Sequence, residues 1–282
     1  MKIFLTGGTG FIGSHVLKQL LASDIEVIAH RRKESSNPRI LIEDPIRWLT
    51  KPVSDIDSTH FDGVDVLLHL ASHSVQYPFD SLENNILYNV IEPLEMFKKA
   101  HQAGVTKYVV AGSCFEYGSS GDRFEYIPTD APLESTNDYA TSKAMSFLAF
   151  RQFALNKRVS LSYQRIFHAF GEGQQDDRLW PSIKKHALSG KDMELTLGNQ
   201  IRDFVHIEIV SSKLIAACEE LSNFPDEKIR IENIGSGSPQ SIAQFANYWW
   251  NYWNAVGKLK LGSLPYRDNE VMRFVPFVKK AP

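Results

Sequence analysis

The chain has 282 residues, 43% hydrophobic and 23% charged, and its 31 Lys and Arg against 33 Asp and Glu give a formal net charge of −2. This composition excludes intrinsic disorder, collagen-like repeats and a miniature fold that needs covalent staples. The near-neutral balance argues against a nucleic-acid partner, which would call for a clustered basic excess, but leaves room for a small anionic ligand held by local positive charge.

Two cysteines, Cys114 and Cys218, cannot build a disulfide framework or a four-cysteine metal site, and read as buried reduced thiols. The apolar start Ile3-Phe4-Leu5 is too short for a secretory core, and no run approaches the roughly 18 apolar residues of a membrane span. A reducing, cytoplasmic setting without a membrane partner is therefore expected. The histidines fall at no metal-ligand spacing, so no metal is expected.

In chain order, Ile3 to Thr6 predicts a buried strand, Phe11 to Ala22 a helix, Ile25 to Ala29 a second strand and Val64 to Ala71 a third. Ser81 to Ala103 predicts one long helix, turned or kinked at Pro93 and stopped by Gly104. Lys107 to Gly112 predicts a strand, Asn137 to Asn156 a helix and Val159 to Phe167 a strand. This alternation implies an α/β fold with a Rossmann-type doubly wound parallel sheet. After Phe167 the pattern loosens. A polar loop runs from Gly171 to Arg178, Pro181 to Ser189 predicts a short helix, and Val205 to Leu221 predicts a strand and helix returning to the main sheet. Residues 223–282 read as irregular apart from an aromatic helix near Ile242 to Trp253. Residues 1–166, with about 203–221, thus form a cofactor-binding domain, and 167–282 a smaller substrate-binding lobe.

The first strand runs into Thr6-Gly7-Gly8-Thr9-Gly10-Phe11-Ile12-Gly13. One glycine permits the tight turn, another admits a pyrophosphate to the backbone, and Gly13 lets the helix pack on the strand. An anion would sit on the free N–H groups of the helix start, against Gly7, Gly10, Phe11, Ile12 and Gly13. The strand-loop-helix setting is what separates this pattern from an ordinary glycine turn. About 20 residues on, an NAD-preferring site carries an acid for the ribose 2′-OH. This chain reads Ala29-His30-Arg31-Arg32-Lys33. NADP(H) is favoured, with Arg31 or Arg32 on the 2′-phosphate and NAD(H) still possible.

Tyr139-Ala140-Thr141-Ser142-Lys143 places Tyr139 and Lys143 on one helix face. A nearby ammonium should lower the phenol from about 10 toward working pH, fitting Tyr139 to trade a proton while a carbonyl and an alcohol interconvert. Ser113 ends the Lys107 strand, where open α/β sheets place ligands, and its hydroxyl can bond a substrate oxygen.

TGGTGFIG, HLA at 69–71, Asn89-Val90, GSCFEYG at 112–118, YATSK at 139–143 and RDFVH at 202–206 occur in that order. Together they resemble the extended short-chain dehydrogenase/reductase family of NAD(P)-dependent nucleotide-sugar epimerases, dehydratases and reductases, over residues 1 to about 245. The resemblance implies catalytic roles for Ser113, Tyr139 and Lys143, with Lys143 also on the nicotinamide ribose. It implies cofactor contacts at Leu70, Ala71 and Asn89, and a substrate diphosphate contact at Arg202, which otherwise pairs with Asp203. It implies a nucleoside-diphosphate sugar substrate bound by Ser113, Tyr139 and Arg202, and a homodimer paired through long helices.

The family's 4,6-dehydratases carry Asp-Glu after the catalytic Ser/Thr, where this chain has Cys114 and Phe115. Glu116, one place on, reads as a partner for a surface cation, or as a substituted acid. The missing second-strand acid fits a reductase drawing NADPH from solution better than an epimerase. The turn and short length resemble the deoxysugar 4-ketoreductases, such as CDP-abequose synthase. The expected activity is NADPH-dependent reduction of a 4-keto group on a nucleoside-diphosphate 6-deoxyhexose, with Tyr139 as proton donor. A nucleotide-sugar epimerase is the alternative, and a non-catalytic dinucleotide sensor is the third reading.

Overall fold

The structure, a computed structural model, describes residues 1–223, 227–267 and 270–278, and the rest of the expected C-terminal lobe lies outside the described residues. The first part of the chain holds β1 (Lys2–Thr6), α1 (Phe11–Leu21), β2 (Glu26–Arg31), β3 (Trp48–Thr50), β4 (Val66–His69), α2 (Leu82–Ile86), α3 (Glu92–Gln102), β5 (Lys107–Ser113), α4 (Asp138–Lys157) and β6 (Ser160–Ile166). There follow β7 (His168–Phe170), α5 (Leu179–Ser189), β8 (Met193–Leu195), β9 (Ile201–Arg202), β10 (Phe204–His206) and α6 (Ile207–Asn223). The last elements are β11 (Ile229–Ile234), β12 (Gln240–Ser241), α7 (Ile242–Tyr252), β13 (Leu259–Leu261) and β14 (Arg273–Phe274).

Seven parallel strands form the central sheet in the order β11-β6-β5-β4-β1-β2-β3. Side chains alternate across a strand. Ile3 and Leu5 therefore join Val16, Leu17 and Leu20 of α1 and Val210 and Leu214 of α6 on one face. Phe4 points to the other face, where Phe97 of α3 and Phe150 of α4 close a second core. The expected Rossmann-type fold, with both faces of a parallel sheet covered, is what the chain adopts. A smaller cluster around Trp180, Ile183, Phe245 and Trp250 joins α5 to α7.

Local signals explain the boundaries. The Asn137 side chain accepts the Ala140 N–H at 2.9 Å and starts α4. Gly104, at φ +95°, ends α3 in a conformation that L side chains rarely adopt.

Two expectations need correction and one is refined. Residues 82–102 form the expected continuous helical run, widened by a π-turn at Leu87–Ile91 between α2 and α3, and Pro93 sits in the first turn of α3. Proline has no N–H to give to the preceding turn, and a widened turn absorbs the defect. The Val205 strand does not return to the main sheet. It pairs with β7, although the Val205 side chain and α6 both pack on the central core. The strand that does return is Ile229–Ile234, which pairs with β6 and so takes part of the expected smaller lobe into the main sheet. The aromatic helix is half buried, with Phe245 and Trp250 inside and Tyr248 and Tyr252 exposed.

His69 ends β4 under the cleft, its Nδ1 at 2.8 Å from the Thr6 hydroxyl. Burial pulls its pKa from 6.5 to about 3, helped by the charges of Lys143 and His30. His168 is pulled to about 3 chiefly by burial as well. Because both folded values lie below the unfolded one, the stability they hold is complete above about pH 6.5 and drains away as pH falls toward about 3. The urea midpoint should therefore drop steadily between about pH 7 and about pH 4. A midpoint constant across that window would contradict the buried neutral state of these rings.

Candidate active site

The chain leaves β1 toward β2 on one side and reaches β4 on the other, so a crevice opens at the carboxyl ends of the sheet. A cleft of about 980 Å³ fills it, lined by the glycine loop, the ends of β2, β4 and β5, the start of α4 and parts of α5 and α7. Gly7 lies at φ +76°, and a Cβ there would stand 2.6 Å from the Ala71 nitrogen. A Cβ on Gly13 would stand 2.0 Å from the Gly7 carbonyl oxygen. No side chain caps α1 and no acid lies in its first turn. The helix start is thus an uncapped cradle open to the cleft, and its N–H groups and dipole suit a pyrophosphate. The residues present fit a dinucleotide.

Gly7, Gly10, Phe11, Ile12, Gly13, Leu70 and Ala71 line this cleft, as do Arg31 and Arg32 at the end of β2. The Arg31 Nε donates to the Thr50 hydroxyl at 2.9 Å, and its guanidinium lies 5.0 Å from the Trp48 ring centre. Arg32 is exposed. Glu92 lines the same cleft. Burial raises its pKa, Asp55 adds to the rise, and Arg32 opposes it.

At the other end, Ser113 closes β5 and caps a short turn at Cys114–Tyr117, its hydroxyl accepting the Phe115 N–H at 3.2 Å. Tyr139 and Lys143 face the same space from α4. The phenol is stacked on Phe79 at 5.8 Å and 14° and is only 7% exposed. Burial pushes its pKa up to about 12, against the Ser72 and Ser113 hydroxyls, which bond it and pull it down. This corrects the expectation of a phenol lowered by Lys143. The Lys143 ammonium instead donates to the Ala111 carbonyl at 2.8 Å, and burial outweighs the hydroxyls acting on Tyr139. Burial also lowers the pKa of Lys143, which Glu116 partly offsets.

Two expected roles change, and one alternative pairing falls away. Asn89 does not line the cleft. It is buried, with its Oδ1 accepting the His73 N–H at 2.7 Å and its Nδ2 reaching the Ser142 hydroxyl at 3.0 Å, so it shapes the loop that does. Glu116 is not at the surface. It is wholly buried and paired with Arg165 at 2.7 Å. Arg202 lines the cleft but does not pair with Asp203. It bonds Glu270 at 2.8 Å and the Val271 carbonyl at 2.7 Å, whereas Asp203 accepts the Ser236 and Gly237 N–H groups.

Further residues complete the cleft. Ser72, beside HLA, bonds the Tyr139 phenol. The His168 Nε2, Gln174 Oε1 and Trp180 Nε1 are buried without a partner, and all three residues line the lobe side of the cleft. His73 also lines it, with its Nε2 held by Asp80 at 2.8 Å and its ring on Tyr88. The loop expected at Gly171 to Arg178 supplies Gln174, Gln175 and Arg178.

The family described as "NAD dependent epimerase/dehydratase family" matches residues 3–235. The chain belongs to that family. It is an SDR-type NAD-dependent oxidoreductase or epimerase, as the resemblance implied. Among its relatives, the UDP-glucose 4-epimerase of Neisseria meningitidis serogroup C is 27% identical, over 86% of this chain and 80% of the relative. CDP-abequose synthase of Salmonella typhimurium is 26% identical, over 96% of this chain and 87% of the relative. Among solved structures, the NAD-dependent NDP-hexosamine 5,6-dehydratase TunA, involved in tunicamycin biosynthesis, superposes with a TM-score of 0.82. It is 28% identical, and the match covers 98% of this chain and 88% of that one. Among the described residues, no helix is long and apolar enough to cross a membrane. No group of three or more His, Cys, Asp and Glu side chains among them is placed to hold a metal ion.

Proposed function

We propose that the chain reduces a 4-keto group on a nucleoside-diphosphate 6-deoxyhexose with NADPH. The observation that carries this reading is a cleft in which the end of β2 presents Arg31 and Arg32 where an NAD-preferring site has an acid, with Ser113, Tyr139 and Lys143 in the same space. In this reading the central sheet holds the cofactor and the smaller lobe holds the sugar nucleotide. The glycine cradle takes the pyrophosphate, and Arg31 and Arg32 take the 2′-phosphate. When bound, the nicotinamide supplies hydride to the sugar ketone. Ser113 orients the ketone oxygen by hydrogen bonding. Tyr139, held protonated by its burial, donates the proton as charge develops on that oxygen. Lys143 holds the nicotinamide ribose, and Arg202 reaches the diphosphate from beside Glu270. The reading includes a homodimer paired through the long helices, where Ile91 and Leu148 supply exposed apolar surface.

Elimination of water is disfavoured at positions 114 and 115. Burial pushes the Cys114 thiol up to about 12, and Phe115 has no proton to move. Similarity to CDP-abequose synthase supports the reductase. Similarity to UDP-glucose 4-epimerase supports the alternative, an epimerase using the same proton and hydride steps in both directions.

Incubation with NADPH and a panel of CDP-, dTDP- and UDP-linked 4-keto-6-deoxyhexoses separates them. A reductase consumes one NADPH per sugar, whereas an epimerase isomerises its sugar without net consumption. Arg31→Ala with Arg32→Ala should raise the KM for NADPH roughly ten- to a hundredfold, the worth of one or two charge-assisted hydrogen bonds. The KM for NADH should barely move, and equal effects on the two cofactors would remove the 2′-phosphate assignment.

A further inference from the structure

Behind the Ser113–Tyr139–Lys143 set lies a buried ion pair that no step above uses. Glu116 and Arg165 are 0% and 1% exposed, and Arg165 Nε donates to Glu116 Oε2 at 2.7 Å. The other carboxylate oxygen accepts twice, from the Ser113 backbone N–H at 2.7 Å and the Tyr163 hydroxyl at 2.9 Å. Tyr163 also reaches the Lys143 carbonyl at 3.3 Å. One carboxylate thus ties together the end of β5, the neighbouring β6 and the helix that carries Tyr139 and Lys143. Space is left for it. A Cβ on Gly112 would stand 2.3 Å from the Tyr163 ring and 2.8 Å from the carboxylate. Arg165 is fixed in turn by the Tyr117 hydroxyl at 3.1 Å and the Thr129 carbonyl at 2.9 Å.

We propose that Glu116 is a positioning residue, which holds Ser113 at the cleft and sets the electrostatic field in which Tyr139 and Lys143 work. This rests on the reading of those three residues as the catalytic set. The charged and titratable groups facing the carboxylate are Arg165 and Tyr163 from β6, Tyr117 and Cys114 from the turn, and Tyr139 and Lys143 from α4. Its negative charge favours the neutral phenol of Tyr139 and the ammonium of Lys143. A proton donor next to an ordering cation needs both states together.

The test replaces the pair with an uncharged one. In Glu116→Gln with Arg165→Met, the amide oxygen can still accept from Ser113 and Tyr163 while the charge is gone. The NMR resonance of the Tyr139 Cζ, in protein carrying 13C-tyrosine and saturated with NADP⁺, is assigned by its loss in Tyr139→Phe. It should titrate at lower pH in the double variant than in the wild type. In Glu116→Leu with Arg165→Met the anchor on Ser113 is lost too. There kcat for 4-keto reduction should fall roughly tenfold or more while the NADPH KM holds, since a hydrogen bond to a charged group is given up. An unchanged Tyr139 titration overturns the proposal, as does an unchanged kcat in the leucine variant. If neither variant folds, amide exchange in the wild type decides. The Ser113 N–H should be strongly protected, and exchange at the rate of exposed loop amides overturns the proposal. The phenol titration and amide exchange need no substrate. Their failure is therefore distinct from failure of the catalytic reading, which turnover by Tyr139→Phe would reveal.

Discussion

Tyr139→Phe should lower turnover about 10²- to 10⁴-fold, the usual worth of a positioned general acid, and leave cofactor affinity intact. The substitution removes one oxygen and little else. The ring stays stacked on Phe79 and edge-on to Phe115, at 5.8 and 6.5 Å, so the fold and the cleft wall should survive. The lost oxygen is the one bonded by Ser72 and Ser113. The direction of the pH effect follows from the same group. Burial holds the phenol up to about 12, so the protonated donor dominates at neutral pH and ketone reduction fails only as pH rises toward that value. Steady-state kinetics with NADPH and the panel sugars, alongside a direct titration of NADPH binding, checks both halves. Full turnover by the phenylalanine variant would end the assignment of Tyr139 as donor. Weakened NADPH binding with normal turnover would move Tyr139 to the cofactor's side of the cleft.

The parts of this site that were legible in the sequence are those whose physics is local. Gly7 and Gly13 are there because a Cβ would collide with the Ala71 nitrogen or the Gly7 carbonyl, and such demands show as glycines at fixed spacing. Tyr139 and Lys143 are one helical turn apart, and Ser113 ends a parallel strand, so their meeting at one sheet edge follows from the α/β pattern. What escaped depends on contacts far apart in the chain. Glu270 lies 68 residues from the Arg202 it pairs with. Glu116 looked like a surface acid because its cation arrives from β6, 49 residues on. Asn89 kept the position the motif implied but not the expected contact, because its amide is taken by the backbone of His73 and by Ser142. The phenol of Tyr139 departs from its expectation for a related reason. The spacing of Tyr and Lys shows their proximity, but not the burial that outweighs it.

Arg165→Met should destabilise the chain by about 3–5 kcal/mol, the cost of leaving a buried charge without its partner. The guanidinium is 1% exposed and sits 4.4 Å from the Phe147 ring centre, so a thioether of similar length can fill the space. It cannot replace the bond to Glu116. The carboxylate would then keep its bonds from Ser113 and Tyr163 but face a thioether in place of its cation, buried from solvent. Adding Glu116→Leu to Arg165→Met removes the stranded charge, and replacing both members of a buried pair by apolar groups is often neutral or stabilising. The double variant should therefore recover most of what the single variant lost, a coupling that a double-mutant cycle in urea reads directly. The two stability arms carry different information. If the single losses simply add, the pair is uncoupled, and the carboxylate reaches Ser113 without help from Arg165. Strong coupling means that the cation on β6 holds Glu116 in place beneath the cleft. The fold and the chemistry of the site then share one buried pair, and stability there cannot be changed without changing the setting of Ser113.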